Sequence, residues 1–254
     1  MKGARFKAMR WSLAFTTLLA LGVCQGVAAM DGTTGKESDK FETGKGVLEI
    51  VFLGHASLAL EFNGARIYID PVSQYGDYAK LPDADLILVT HEHTDHLDKS
   101  AIGALKKSST RLVLSAAAQK KLGEGEILAQ GEKLAAAGIS VEAVPAYNVS
   151  AGKTGFHPKD RRDNGYVLTA GNLRIYISGD TEPIPEMALL GHIDIAFLAT
   201  NQPYTMTPQQ AAQAAGTIKP NILYPYHFGS TDTALLKRIL ADAPGVEVRI
   251  RNLQ

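Results

Sequence analysis

The feature that most constrains this chain is a run of histidines and acids that directly follows a short apolar segment. Residues 86–89 are continuously apolar and rich in branched side chains, which predicts a strand buried on both faces. Residues 90–98 then read Thr-His-Glu-His-Thr-Asp-His-Leu-Asp. In open α/β sheets, ligands collect outside the carboxyl ends of strands. The sequence therefore predicts an α/β fold with its functional site at the end of this strand.

The side chains of this run are those of a metal site. His91 and His93 point to one side of an extended chain because the side-chain period is two. Asp95 and His96 follow as the chain turns toward a predicted helix, so their side chains are directed at a neighbouring position rather than at the same one. Imidazole suits Zn, Cu, Fe and Ni, and carboxylate extends the choice to Mn. We prefer two metals about 3.5–4 Å apart over the alternative, a solvated loop that happens to be rich in histidine.

The pattern His-x-His-x-Asp-His resembles the signature of the metallo-β-lactamase-fold hydrolases, and this run matches it in full. The resemblance extends over most of the chain from about residue 46 onward. It implies a single-domain, four-layer αββα sandwich and a metal-dependent hydrolase, similar to the ascorbate-phosphate lactonase and to phospholipase D-type members. It also implies two divalent ions, zinc before manganese or iron, with one on His91 and His93 and the second on Asp95 and His96.

The family pattern further implies a bridging aspartate and a late histidine, and two later strand ends supply them. Asp180 follows the apolar segment 173–178 through a glycine that allows close approach of the backbone. His227 stands at the end of the apolar segment 222–226. We interpret Asp180 as the bridging ligand and His227 as the last ligand. Asp95 is also the expected catalytic residue, which orients the metal-activated water.

One segment departs from the family pattern. Many members carry a third histidine where this chain has Tyr147-Asn148. The chain resembles a subgroup in which Val-Pro-Ala-Tyr-Asn is followed by His-Pro-Lys, here at residues 157–159. Either His157 replaces the missing ligand, or Asn148 and water fill the position and leave a weaker first site. We slightly favour His157 as a residue that lines the pocket.

Two residues near the start of the domain are candidates for supporting roles. The runs Gly54-His55-Ala56-Ser57 and Ile69-Asp70-Pro71 resemble the opening hairpins of the superfamily. Asp70 either holds a ligand histidine through its free N–H or forms an Asx turn before proline. His55 either lines the pocket or is a turn histidine satisfied by backbone groups.

The first 29 residues differ in kind from the rest. They hold four basic and no acidic side chains, an apolar stretch over residues 11–23, and small residues at 27–29. This is typical of a secretory signal peptide cleaved near Ala29, with an uncleaved amphipathic anchor as the alternative. The only cysteine, Cys24, leaves with that segment. We therefore expect a periplasmic or secreted protein whose metal ligands are nitrogen and oxygen atoms, with no stable membrane span after cleavage.

The mature chain divides into a polar segment and one domain. Residues 30–46 are polar and predict a flexible linker, and residues 47–254 predict the hydrolase domain, with no internal repeat of sequence. The full chain holds 26 basic and 26 acidic side chains. Loss of the four basic residues of the signal therefore leaves a net charge of −4. A mildly acidic protein is poorly suited to nucleic acid, so we expect a small-molecule substrate, while the oligomeric state has no signal in the sequence.

Two functions remain open. The first is hydrolysis by a dinuclear metal-activated water of an ester, lactone, phosphoester or phosphodiester of a small molecule. The second is a non-catalytic, exported metal-binding protein with the same ligands, which the missing third histidine supports. Lys159, Arg161 and Arg162 form a basic cluster that either meets one phosphate or is a solvated loop.

Overall fold

The computed structural model describes residues 35–254, so the predicted signal peptide and its cleavage site lie outside the described residues. The first of two seven-stranded sheets carries its strands in chain order. Neighbouring strands are antiparallel from the first to the fourth and parallel from the fourth to the seventh. The strands are β1 (Ser38–Glu42), β2 (Val47–Gly54), β3 (Ser57–Phe62), β4 (Ala65–Ile69), β5 (Leu86–Val89), β6 (Arg111–Leu114) and β7 (Glu126–Ile127).

The second sheet repeats this plan. Its strands also lie in chain order, with four antiparallel strands followed by parallel ones. They are β8 (Lys133–Ala136), β9 (Ile139–Ala146), β10 (Asp163–Ala170), β11 (Leu173–Ile177), β12 (Ile195–Ala199), β13 (Ile222–Tyr226) and β14 (Glu247–Val248). Strands β2, β3 and β4 thus correspond in position to β9, β10 and β11.

A short sequence identity accompanies this structural repeat. Strands β4 and β11 both contain Arg-Ile-Tyr-Ile, at residues 66–69 and 174–177. In both halves an aspartate before the next strand accepts from the backbone N–H of that arginine, at 2.9 Å from Arg66 to Asp85 and 2.8 Å from Arg174 to Asp194. The repeat is one of topology, and it was not predicted because a four-residue match is too short to stand out in the sequence.

Helices cover the outer faces of both sheets. They are α1 (Lys99–Leu105), α2 (Ala116–Leu122), α3 (Pro208–Ile218) and α4 (Thr233–Ile239). Buried side chains of α1 and α2 pack on the first sheet, and those of α3 and α4 pack on the second. Thr207 caps α3 and Pro208 is its first residue, which confirms the prediction from sequence. The cap forms because the Thr207 hydroxyl accepts from the Gln210 N–H at 3.1 Å.

The main core lies between the two sheets, where large apolar side chains from both are fully buried. Phe52 packs against Phe197 and Tyr224 at ring-centroid distances of 6.2 and 5.2 Å. Full burial of a side chain such as Phe52 stabilises the fold by about 1.5–3 kcal/mol. The layers are therefore helix, sheet, sheet and helix. Packing of the two sheets brings the carboxyl ends of their parallel strands together at one edge of the sandwich.

The ordered domain begins earlier than the sequence predicted. Residues 38–42 were assigned to a flexible linker, but they form β1 and pair with β2 along its whole length. Their burial alternates, with Asp39 and Phe41 more buried than their neighbours. Arg251 donates to the Asp39 carboxylate at 2.7 Å, so the strand is also tied to the chain after β14. Among residues 35–254, no helix has the length and apolar character that a bilayer crossing requires.

Candidate metal centre

The site lies where strands from both sheets end, and the backbone there adopts an uncommon conformation. His55 between β2 and β3, Asp70 after β4 and His227 after β13 have φ angles of 54°, 45° and 46°. Side chains other than glycine are disfavoured in this left-handed region by about 1–2 kcal/mol. Such strain clusters at functional sites, where the surrounding structure holds it in place. Asn63, Ala137, Arg162 and Lys219 share this conformation elsewhere, so the three positions are singled out by where their side chains lie rather than by φ alone.

The first group of candidate ligands consists of three histidines. His91, His93 and His157 each offer a ring nitrogen, and these atoms lie within 4.8 Å of one another. The His91 Nε2 atom lies 3.2 Å from the His93 Nδ1 atom. The His157 Nε2 atom lies 3.3 Å from an oxygen of Asp180. Residues from two sheets and from the long connection between β9 and β10 thus meet at one point.

The second group contains Asp95, His96 and His227, together with His55, and its ligand atoms also lie within 4.8 Å of one another. The Asp95 Oδ2 atom lies 3.1 Å from His55 Nε2 and 3.2 Å from His227 Nε2. Asp180 lies between the groups. Its Oδ1 atom is 3.5 Å from His96 Nε2 and 3.5 Å from His227 Nδ1, while its Oδ2 atom faces the first group.

Unpartnered buried atoms indicate that the cluster is suited to metal. Within residues 35–254, His96 Nε2, Asp180 Oδ1 and His227 Nδ1 are buried and make no hydrogen bond. Buried polar atoms are nearly always paired, and an exception calls for an explanation such as a bound ion. The three atoms converge, and all available donors are imidazole nitrogens or carboxylate oxygens, which suit first-row divalent metals. The residues therefore fit bound divalent metal.

Asp70 lies behind the cluster and fixes one of its histidines. Its Oδ2 atom is 2.7 Å from His96 Nδ1, and its Oδ1 atom accepts from the Thr90 N–H at 2.8 Å. Because Nδ1 of His96 is held by this carboxylate, Nε2 is directed at the ligand group. A carboxylate behind a ligand histidine orients the ring and selects its tautomer.

The electrostatics of the cluster follow from burial and from opposite charges at short range. Burial lowers the pKa of His91 well below its ordinary value, and the neighbouring His96 lowers it further. Burial also acts to lower the pKa of His96, but the carboxylates of Asp180 and Asp70 outweigh it and raise that pKa well above the ordinary value. Although burial acts to raise the pKa of Asp180, His227 and His96 hold it well below its usual range. Asp180 is therefore ionised at neutral pH and is able to act as a ligand.

Of the two candidates for the missing histidine, the structure places one against the cluster. Asn148 is buried, and its amide donates to the carbonyl oxygens of Tyr204 at 2.7 Å and Lys153 at 3.2 Å. Its backbone N–H donates to the His157 carbonyl at 2.8 Å. Asn148 thus shapes the connection between β9 and β10, whereas His157 extends from it toward His91.

Of the predicted basic cluster, Arg161 contacts the site, because its guanidinium nitrogens lie 3.1 Å from His93 Nε2 and 3.0 Å from His157 Nδ1. Arg161 lies 3.1 Å from Glu92 and donates to Asp163 at 2.9 Å. Lys159 pairs with Glu186 at 3.1 Å. Neither side chain lines the cavity above the candidate ligands, and neither does Arg162. Lys159 and Arg162 are therefore not placed to meet a substrate phosphate. Arg161 lies beside two histidines that line the cavity, and its guanidinium already pairs with Asp163 and Glu92.

A cavity of about 340 Å³ opens above the two ligand groups. Phe156 and Tyr204 form one wall, with their rings edge to face at a centroid distance of 5.0 Å. Asn201 lies at the end of β12 and also lines the cavity. No lysine or arginine among residues 35–254 lines it. The remaining lining residues are His93, Asp95, His157, Asp180 and His227.

One functional residue, Glu182, was missed by the sequence analysis. It is fully buried, and it accepts from the backbone N–H groups of Val149 at 2.9 Å and Ser150 at 2.6 Å. The Gln210 amide donates to it at 2.9 Å. Glu182 thus fastens the segment that leads to His157 onto α3. Its partners lie roughly 30 residues away in either direction, so no local pattern marks it.

We expect Glu182→Gln to remove a pH-dependent part of the stability. Burial acts to raise the pKa of Glu182, but the Ser150 N–H and the Gln210 amide lower it from 4.5 to about 2. Because the folded-state pKa is lowered, the carboxylate stabilises the fold fully above about pH 5. This contribution, about 3 kcal/mol, is lost as the pH falls toward 2. Urea unfolding at pH 7 should separate variant and wild type, and the difference should shrink at pH 3. A constant difference between the two pH values would contradict this assignment.

The fold and the site together define a class of protein. Two stacked sheets between helices, with histidines and aspartates gathered at the strand ends, are the arrangement that the metallo-β-lactamase signature implied. Comparison with known proteins identifies the family. Residues 49–227, more than half of the chain, match the model of the Beta-lactamase superfamily domain. The chain therefore belongs to the β-lactamase superfamily, and the predicted four-layer α/β fold is confirmed.

Relatives identify the chain further as a metal-dependent hydrolase. A UPF0173 metal-dependent hydrolase from Methanopyrus kandleri is 32% identical over 196 residues, which cover 72% of this chain and 85% of the relative. A solved structure from Parabacteroides distasonis, named as a metal-dependent hydrolase, is 52% identical. It covers 86% of this chain and 100% of its own length, with a TM-score of 0.84. The metallo hydrolase Igni18 of Ignicoccus hospitalis has the same fold, at 22% identity over 81% of this chain and 95% of its own, with a TM-score of 0.67.

Proposed function

We propose that this metal-dependent hydrolase is dinuclear and that it cleaves the ester or lactone bond of a small molecule. The observation that carries the proposal is the cavity of about 340 Å³ whose floor is formed by the two ligand groups and whose wall is aromatic. A cavity of this size fits a small substrate rather than a polymer. Zinc is the first candidate for both positions, with manganese and iron as alternatives.

The ligand set divides between the two positions. His91, His93 and His157 would hold the first ion, and Asp95, His96 and His227 would hold the second, with Asp180 between them. When bound, two such ions lower the pKa of a shared water and polarise the oxygen of the group under attack. The support for a non-catalytic protein came from the missing third histidine, and the position of His157 removes that support.

Asp95 lines the cavity, and 41% of its side chain is exposed. Its Oδ2 atom is held by His55 and His227. Burial acts to raise the pKa of Asp95, but these two histidines hold it below its ordinary value. The Oδ1 atom makes no hydrogen bond within residues 35–254. We assign it the task of orienting the attacking water.

The lining of the cavity favours an uncharged carbonyl centre over a phosphoester. A phosphate group in an enzyme site is usually met by arginine or lysine as well as by metal. Neither type lines the cavity, and Arg161 beside it is already paired with Asp163 and Glu92. Phe156 and Tyr204 instead offer apolar surface to a flat part of the substrate. Asn201 also lines the cavity and offers an uncharged amide to the substrate.

A substrate screen with defined metal content tests this proposal. The protein would be stripped by chelation, reloaded with zinc, manganese or iron, and assayed with aryl esters, lactones and bis-aryl phosphodiesters. We expect turnover of an ester or lactone well above that of the free metal, and weaker turnover of the phosphodiester. Turnover of the phosphodiester alone would overturn the substrate class. Rates no better than free metal with every substrate would favour the non-catalytic metal-binding alternative.

We also propose that the protein is exported to the periplasm or secreted. The proposal is supported by the basic and apolar character of residues 1–29. Cell fractionation of the full chain with mass spectrometry of its N-terminus is the test. A mature protein that starts near Met30 in the periplasmic fraction is expected, and an intact N-terminus in the cytoplasmic fraction would refute export.

A further inference from the structure

We propose that His55 is a further protein ligand of the second metal position, the counterpart in the first sheet of His157 in the second. The inference rests on the proposed dinuclear site. The first supporting observation is the repeat between the two sheets. His55 lies in the connection from β2 to β3, and His157 lies in the connection from β9 to β10, which is the corresponding place. Each half therefore contributes one histidine from its second inter-strand connection.

Geometry places the His55 ring in the second ligand group. Its Nε2 atom is 3.1 Å from Asp95 Oδ2, and its ring centroid is 3.9 Å from that of His227. The candidate ligand atoms of His55, Asp95, His96 and His227 lie within 4.8 Å of one another, as donors around one ion must. Only 13% of the His55 side chain is exposed.

The backbone of His55 is strained and held from both sides. Its φ angle of 54° lies in the left-handed region. Its N–H donates to the Leu253 carbonyl at 2.6 Å, and its carbonyl accepts from the N–H of His227 at 2.9 Å. The ring stacks on Tyr75 at a centroid distance of 5.1 Å and an interplanar angle of 18°. A turn histidine satisfied by backbone groups does not require these contacts to its ring and backbone, whereas the ring of a metal ligand must be held in one orientation.

His55 is not placed to act on the substrate directly. The cavity above the ligand groups is lined by Asp95 and His227 but not by His55, which lies behind them. Its Nε2 atom can therefore serve only Asp95 or a metal ion. As a ligand, it gives the second position four protein donors before Asp180 is counted. A site with this many donors exceeds the tetrahedral set that zinc prefers. With His55 as a ligand, iron or manganese therefore replaces zinc as the first candidate at the second position, and zinc stays the first candidate at the first position.

Cobalt titration of the metal-free protein tests this assignment. Cobalt(II) absorbs visible light much more strongly with four ligands than with five or six, so its spectrum reports the coordination of each position. We would compare wild type with His55→Asn, since asparagine tolerates a positive φ better than most residues, and with His192→Asn as the control. His192 is an exposed histidine paired with Asp194, away from the site.

The expected result is that His55→Asn weakens the binding of one of two cobalt equivalents by more than about 100-fold. This exceeds the 10–100-fold loss typical of residues that only orient a ligand. The spectrum of that equivalent should also become more intense, and His192→Asn should behave as wild type. If circular dichroism shows that His55→Asn is unfolded, the same test is made with His55→Gly, because glycine relieves the backbone strain at a positive φ.

A measurement on the unaltered protein separates the remaining outcomes. With ¹¹³Cd bound to protein labelled with ¹⁵N in histidine, we expect a cadmium–nitrogen coupling to His55. Two bound ions with no such coupling and an unchanged spectrum in His55→Asn would overturn this inference and leave the dinuclear proposal standing. Failure of the wild type to bind two ions would instead overturn the dinuclear proposal.

Discussion

Asp180→Asn is expected to lower kcat/KM by at least about 1,000-fold, which corresponds to about 4 kcal/mol of lost transition-state stabilisation. The reason is that the two oxygens of Asp180 face different ligand groups, with Oδ2 at 3.3 Å from His157 and Oδ1 at 3.5 Å from His96. An amide of the same size keeps the packing but removes the charge that both positions share. Both ions should therefore bind more weakly, and metal content after dialysis should fall below two per chain.

Asp160→Asn is the matched control for this prediction. Asp160 is an exposed acid in the turn before β10, so its loss should leave the rate and the metal content unchanged. Metal content is measured by elemental analysis, and kcat/KM by the best ester or lactone of the substrate screen. An Asp180→Asn protein that keeps two ions and the wild-type rate would refute the bridging role.

The second large effect is expected for His157→Ala. Loss of one of three histidines should weaken the binding of the first ion by more than about 100-fold. The second ion should stay in place, because His157 belongs to the first group alone. Activity should fall with the occupancy of that position and recover in part at high metal concentration. Isothermal titration with metal measures both binding constants.

Asn148→Ala separates the two explanations that the sequence left open. Asn148 bonds to the carbonyls of Tyr204 and Lys153. Its replacement should therefore lower the thermal stability of the loop while both ions are retained. If Asn148→Ala loses the first ion and His157→Ala keeps it, the assignment of the third ligand is reversed.

Sequence alone located the strand ends that carry the candidate ligands, because each is a continuous apolar run followed by a histidine or an acid. The run before Thr90 and the run before His227 are examples, and both proved to be central parallel strands. The four-layer fold followed from the family resemblance rather than from these patterns. The cap of α3 at Thr207 was predicted because its signal is contained within four residues.

Features that depend on distant partners could not be predicted. Glu182 has no local signature, since its donors come from another loop and another helix. The edge strand β1 is polar on one face and gains its order from pairing with β2 and from Arg251, which is 212 residues away. The position of His55 beside His227 depends on the stacking of the two sheets, which bring together residues 172 positions apart in the sequence.

Each proposed metal position takes donors from both halves of the sandwich. His91 and His96 follow strands of the first sheet, whereas His157 and His227 come from segments of the second. An ion that binds only the assembled arrangement contributes its binding free energy to keeping the halves together, about 4 kcal/mol at a free concentration 1,000 times the Kd. Chelation should therefore lower the melting temperature by loosening the seam between the sheets, so that metal supply governs the lifetime of this enzyme as well as its rate.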